Sequence, residues 1–147
     1  MTGQDKQTQG PGKPIVLIVD DVPDNLSTIS EMISDLGVDV RVANSGPVAI
    51  RYARLAPRPD LILLDVMMPD MDGFEVCRRL KADRDLCEIP VVFVTAIRGD
   101  RESRILALES GAEAFLSKPI DESELTAQIR AMIKIKAANI QKRDEKE

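Results

Sequence analysis

The sequence predicts an α/β fold in which helices cover both faces of a parallel sheet. Three observations carry that reading. Ile15–Val19, Leu61–Leu64 and Val91–Val94 are short aliphatic runs without polar alternation, the pattern of strands buried on both faces. Stretches with apolar residues at helical spacing separate them, so that strand and helix alternate five times along the chain, which requires right-handed crossovers. Four of the five strands also end on residues able to bind or react: Asp20-Asp21, Asp65, Thr95 and Lys118.

Residues 1–13 are polar, with Gly10, Pro11 and Gly12, and read as a flexible leader. The first strand, Ile15–Val19, runs into Asp20-Asp21. Pro23-Asp24-Asn25 supplies turn and N-cap residues for a helix carrying Leu26, Ile29, Ile33 and Leu36, which Gly37 closes. Val38, Val40 and Val42 alternate with polar residues, as in a half-exposed edge strand. Ser45-Gly46-Pro47 opens a second helix whose buried side is expected to be Val48, Ile50, Tyr52, Ala53 and Leu55, until Pro57 and Pro59 stop it. The central strand Leu61–Leu64 ends on Asp65, and the loop Val66 to Gly73 has the proline, acids and glycine of a ligand-facing turn. Phe74–Ala82 reads as a third helix with Phe74, Cys77 and Leu80 near one face. After Pro90 comes the fourth strand, ending on Thr95. Arg98-Gly99-Asp100 starts a fourth helix with Ile105, Leu106 and Leu108, ended by Gly111. Ala114-Phe115-Leu116 is a short fifth strand ahead of Ser117-Lys118-Pro119. Asp121 or Ser123 caps a last helix carrying Leu125, Ile129, Met132 and Ile133, and its apolar stripe continues to Ala137 and Ile140 before the charged tail.

The 147 residues, 44% hydrophobic and 31% charged, fit one globular domain with short extensions. No apolar run reaches the length of a membrane span and the N-terminus lacks a signal-peptide core, so a cytoplasmic protein without membrane contact is expected. A net charge of −5 argues against direct binding of nucleic acid. Two cysteines and no histidine argue against zinc, and Cys77 and Cys87 read as inert thiols.

With the strand order 2-1-3-4-5 of flavodoxin-like, doubly wound sheets, the carboxyl ends of the first, third, fourth and fifth strands meet at one crevice. Clustered carboxylates at roughly 4 Å repel by about 4 kcal/mol per pair at an effective dielectric near 20. Such a cluster keeps a proton or holds a cation, and oxygen-only ligands select a hard divalent ion, foremost Mg2+. Lys118 adds a point charge and Thr95 a hydroxyl suited to an oxyanion beside the metal, so the chemistry inferred is phosphoryl transfer to Asp65. Each residue alone also has a structural reading: Asp20-Asp21 as a helix cap, Thr95 as a strand end, Lys118 as a surface charge. Their joint placement at four strand ends outweighs these.

The set Asp20-Asp21, Asp65 with Met67-Met68-Pro69-Asp70-Met71-Asp72-Gly73, Thr95-Ala96, and Phe115 ahead of Lys118-Pro119 resembles the receiver domain of two-component response regulators. The resemblance spans Pro14 to Met132. It implies that Asp65 is the phosphoacceptor, and that Asp21, Asp65 and the Met67 backbone carbonyl bind Mg2+, with Asp20 acting through a coordinated water. It further implies that Lys118 pairs with the phosphoryl oxygens across a cis bond to Pro119, that Thr95 is the switch hydroxyl, and that Phe115 is the aromatic that turns inward. The domain boundaries expected are a leader at 1–13, a receiver at 14–135 and a charged helical extension at 136–147 leading to an output domain.

A haloacid-dehalogenase-type phosphatase would need an acid where Met67 stands, and a flavin or dinucleotide carrier a glycine-rich phosphate loop where Asp20-Asp21-Val22-Pro23 stands. A phosphate-independent interaction module on the same fold is the remaining competitor. Ala114 and Gln128 differ from the acid and arginine of the winged-helix subfamily, which puts that dimer and that output in doubt. Met67 and Ile97 flank the acceptor and cannot orient water, so slow self-dephosphorylation is expected. The partners implied are a histidine kinase or phosphotransfer protein docking near the first helix, an output domain, and a second copy in a homodimer.

Overall fold

A computed structural model describes residues 12–96 and 101–146. Five strands, β1 (Ile15–Val19), β2 (Asp39–Ala43), β3 (Leu61–Leu64), β4 (Val91–Thr95) and β5 (Ala114–Ser117), form one sheet. The helices are α1 (Pro23–Ile33), α2 (Gly46–Arg54), α3 (Gly73–Ala82), α4 (Arg101–Glu109) and α5 (Glu122–Lys146), with a 3-10 turn at Ser34–Leu36. The strand order is β2-β1-β3-β4-β5 and every pairing is parallel, the flavodoxin-like arrangement expected.

Successive strand residues face opposite layers, which is why the central strands show no polar alternation. Leu17, Val19, Ile62, Leu64 and Phe93 pack with Ala49 and Ala53 of α2, Val76, Cys77 and Leu80 of α3, and Ala107 of α4. Val16, Ile18, Leu61, Leu63, Val92 and Val94 pack on the other face with Ile29 and Ile33 of α1 and Leu125, Ile129 and Met132 of α5. Each fully buried Leu, Ile or Phe contributes about 1.5–3 kcal/mol, so these two aliphatic layers hold the strand ends in register. Cys77 is buried, with its thiol donating to the Ser110 carbonyl at 3.3 Å.

Several elements differ from the sequence reading. Gly37 (φ 73°) and Gly111 (φ 96°) take the left-handed conformation expected of them, and Ser45 caps α2 by accepting from Val48 N–H. Asp24 and Asn25, however, do not cap α1. Val22 occupies that position without a side-chain cap, since valine carries no acceptor, and Asp20 Oδ1 accepts its N–H at 2.9 Å. Between the two candidates for α5, Asp121 is the cap, accepting Glu124 N–H at 2.9 Å.

Leu55 does not lie on the buried side of α2. The helix stops at Arg54, Leu55 turns into extended backbone, and its side chain is 53% exposed. In α4 only Ala107 is buried, and Leu108 is 72% exposed. A helix that covers the sheet with one small residue leaves its larger apolar side chains outward. The leader up to residue 11, and Ile97 with the expected α4 start at Arg98-Gly99-Asp100, lie outside the described residues. So do the side chains of Ala137 and Ile140. Among the described residues no helix is long and apolar enough to cross a membrane.

Candidate functional site

The register of β1 against β3 pairs Val19 with Leu64, so the next residues, Asp20 and Asp65, leave the sheet side by side. Asp65 N–H donates to the Val19 carbonyl at 3.0 Å, which extends the ladder by one bond and holds the turn. Asp20 N–H donates likewise to the Ala43 carbonyl of β2 at 3.1 Å. Asp20 and Asp65 are buried and Asp21 is half-buried, and the three offer carboxylate oxygens within 4.8 Å of one another.

Lys118 comes from the far side of the sheet. Its N–H donates to the Thr95 carbonyl at 2.8 Å, continuing the β4–β5 ladder beyond Ser117. The peptide bond from Lys118 to Pro119 is cis. The Lys118 ammonium lies 2.8 Å from Asp20 Oδ2 and 3.5 Å from Asp65 Oδ2. Thr95 is fully buried and its hydroxyl is bonded to the Asp65 carboxylate.

Burial pushes the Asp65 carboxyl above the usual carboxylate range and the Asp20 charge adds to that rise, whereas Lys118, the Thr95 hydroxyl and Met67 N–H oppose it. The acceptor candidate is therefore a desolvated carboxylate whose charge leans on one lysine. The donor set fits a hard divalent cation: three carboxylates converge, no histidine is present in the chain, and neither cysteine belongs to the cluster.

The β3–α3 loop is compact. Met68 N–H and Gly73 N–H both donate to the Val66 carbonyl, at 3.1 and 2.9 Å. Met67 N–H reaches Asp65 Oδ1 at 3.3 Å, while its side chain is 60% exposed beside the site. Gly73 carries a role that its loop reading in the sequence did not reveal. A Cβ there would overlap the backbone carbonyl of Asp65 and sit 2.8 Å from Val66 Cα. The start of α3 can approach the Asp65 backbone this closely only because residue 73 has no side chain. Its sequence signal was a glycine directly after the N-cap acid, Asp72, which accepts Glu75 N–H at 2.9 Å.

Phe115 is half-buried on β5, in register with Phe93 and 6.4 Å from it between ring centroids. With Arg104, Ala107, Leu108, Ala112 and Ala114 it lines an apolar cavity of about 150 Å3. Every site residue named from the sequence thus falls at the carboxyl edge of the sheet, apart from Phe115, which lies further back along β5. Ile97, expected beside the acceptor, is outside the described residues.

Comparison with known proteins agrees with this geometry. The family model described as the response regulator receiver domain matches residues 16–130. Response regulator PleD of Caulobacter vibrioides is 46% identical over 121 residues, covering 82% of this chain and 26% of the relative. The DNA-binding dual master transcriptional regulator RpaA of Synechocystis is 40% identical over 123 residues, covering 82% of this chain and 49% of the relative. The chain therefore spans between a quarter and a half of the length of these relatives. Among solved structures, the signal receiver domain of a histidine kinase from Syntrophus aciditrophicus superposes with a TM-score of 0.75 at 34% identity, covering 82% of this chain and 90% of that one. Receiver domains bind Mg2+ at an acidic pocket of this kind. The chain belongs to the response regulator receiver domain family of two-component systems.

Proposed function

We propose that the chain is a phosphorylation-operated switch in which Asp65 accepts a phosphoryl group from a histidine kinase or a phosphotransfer protein. The observation that carries this reading is the meeting of the Asp20, Asp21 and Asp65 carboxylates within 4.8 Å, with the Lys118 ammonium 2.8 Å from one of them. Asp21, Asp65 and the Met67 carbonyl would hold Mg2+, with Asp20 acting through a bound water. The ion would neutralise the carboxylates and the charge of the incoming phosphoryl group.

An Asp65 carboxylate oxygen attacks phosphorus while the bond from phosphorus to the donor imidazole nitrogen breaks, and the electron pair leaves with that nitrogen. Lys118 pairs with a phosphoryl oxygen in place of its present carboxylate partners. Thr95 shifts its hydroxyl from the carboxylate to another phosphoryl oxygen. The added charge thereby repositions the end of β4. Phe115 has no hydroxyl to hold an outward state, and the apolar cavity beside it supports an exchange governed by packing alone. The outward Ile105, Leu106 and Leu108 of α4 support an output through the face formed by α4, β5 and α5, toward a second copy or an output domain.

The receiver would occupy residues 14–135, with 1–13 as leader. The continuation of α5 to Lys146 supports a helical connection at 136–147 to an output domain. RpaA and the mycobacterial MtrA proteins are named DNA-binding regulators, and this chain covers about half of each. Any DNA contact would therefore fall to a further domain rather than to this acidic one.

Intact mass after incubation with Mg2+ and acetyl phosphate, beside Asp65→Asn, tests the reading. One added phosphoryl group, absent in the variant and in chelator, is expected. Absence of an adduct at every Mg2+ concentration would favour a phosphate-independent interaction module.

A further inference from the structure

Residues 40–59 carry Arg41, Arg51, Arg54 and Arg58 and not one acid, in a chain of net charge −5. The fold gathers this run at one edge of the molecule, where β2 is the outermost strand and α2 packs behind it. Arg41, Val42, Tyr52, Leu55 and Ala56 line a concave cleft there of about 440 Å3. Val42 is 43% and Leu55 53% exposed, so the floor of the cleft is apolar while its surroundings are cationic.

The helix dipole accounts for arginines in the last turn of α2, where Arg51 and Arg54 lie. It does not account for Arg41 on β2, for Arg58 beyond the helix, or for the two solvent-exposed aliphatic residues in the cleft. Arg54 is held at 2.8 Å by Asp83. Arg41, Arg51 and Arg58 enter no ion pair among the described residues, and Arg51 and Arg58 are exposed while Arg41 is half-buried.

We propose that the β2–α2 edge docks an acidic, leucine-bearing segment of a partner protein. Charge complementarity selects the acids, and the Val42–Tyr52–Leu55 floor takes an aliphatic side chain between them. Shape favours a protein segment over a membrane, because the apolar residues line a hollow instead of projecting outward. The apolar floor likewise favours it over nucleic acid, which would gain from the arginines and nothing from Val42 or Leu55. None of the residues lining this cleft belongs to the acidic cluster, and its occupancy does not depend on the phosphoacceptor reading.

The test is fluorescence anisotropy of the full 147-residue chain with a labelled peptide of repeated Glu-Glu-Leu triplets at low ionic strength. Saturable binding is expected, weakened about tenfold by the double variant Arg51→Glu, Arg58→Glu and weakened, without being lost, when the ionic strength is raised to the physiological level. Leu55→Ser should weaken it several-fold, with Val42→Thr as a second probe of the floor on a residue suited to a strand. Arg130→Glu, exposed on α5, should leave it unchanged, and thermal melts establish that each variant is folded. Glu-Glu-Ser triplets should bind several-fold more weakly. Equal binding of the serine peptide, tighter binding of phosphatidylglycerol vesicles or of duplex DNA with the same arginine dependence, or no saturable binding would each overturn the proposal.

Discussion

Lys118 and Asp20, separated by 98 positions in the chain, meet with the ammonium nitrogen 2.8 Å from Oδ2. Asp20 is almost fully buried and Lys118 only slightly exposed, so this contact supplies the nearest positive charge to a desolvated acidic cluster. Lys118→Ala would leave Asp20 and Asp65 without that charge. In chelator the variant should lose about 3 kcal/mol of unfolding free energy, the scale for breaking a buried pair. Added Mg2+ should restore much of it by neutralising the same carboxylates. Urea unfolding with and without Mg2+ measures both, and an equal loss in the two conditions would show that Lys118 acts only through packing.

Asp65 makes the stability of the metal-free protein depend on pH. Burial, aided by Asp20, raises its carboxyl above the ordinary range, so the folded state binds the proton more tightly than the unfolded chain. The stability from this group is fully present below its unfolded pKa and is lost as pH rises through the folded one. Asp65→Asn removes that slope. In chelator the variant should become progressively more stable than the parent as pH rises across that window, and the gap should close at lower pH. Denaturant melts over a pH series decide it, and parallel pH profiles would contradict the desolvation of Asp65.

Gly73 sets how closely α3 approaches the Asp65 backbone. In Gly73→Ala the new Cβ would meet the Asp65 carbonyl oxygen and Val66 Cα, and relief requires moving backbone rather than a flexible side chain. A cost at the upper end of the usual overpacking range, about 3 kcal/mol, is expected. Phosphorylation by acetyl phosphate should fall with it, because the displaced atoms belong to Asp65. Unimpaired phosphorylation in a destabilised variant would separate the packing role from the site.

Met67 stands exposed beside Asp65 with a side chain that cannot orient water by ordinary hydrogen bonding. Once formed, the aspartyl phosphate should therefore hydrolyse slowly, and Met67→Asn, which brings an amide to the same place, should hasten its loss. Following the phosphorylated mass over time after donor removal measures both rates. A parent half-life of seconds would sink the argument.

The sequence by itself determined the strands, their parallel arrangement and the candidate residues that meet at the carboxyl edge of the sheet. Strands buried on both faces must be aliphatic throughout, so Ile15–Val19, Leu61–Leu64 and Val91–Val94 announce themselves, and acids directly after such runs have no apolar reason to be there. Only the tertiary structure decided what faces each helix. Leu55 and the α4 residues Ile105, Leu106 and Leu108 have the periodicity of buried positions but remain exposed, because periodicity tells which side chains share a face and not whether a neighbour covers it. Long-range register brought Lys118 to Asp20, and edge packing set Arg41 beside Leu55. Both depend on distances between segments far apart in the chain, which local sequence does not encode.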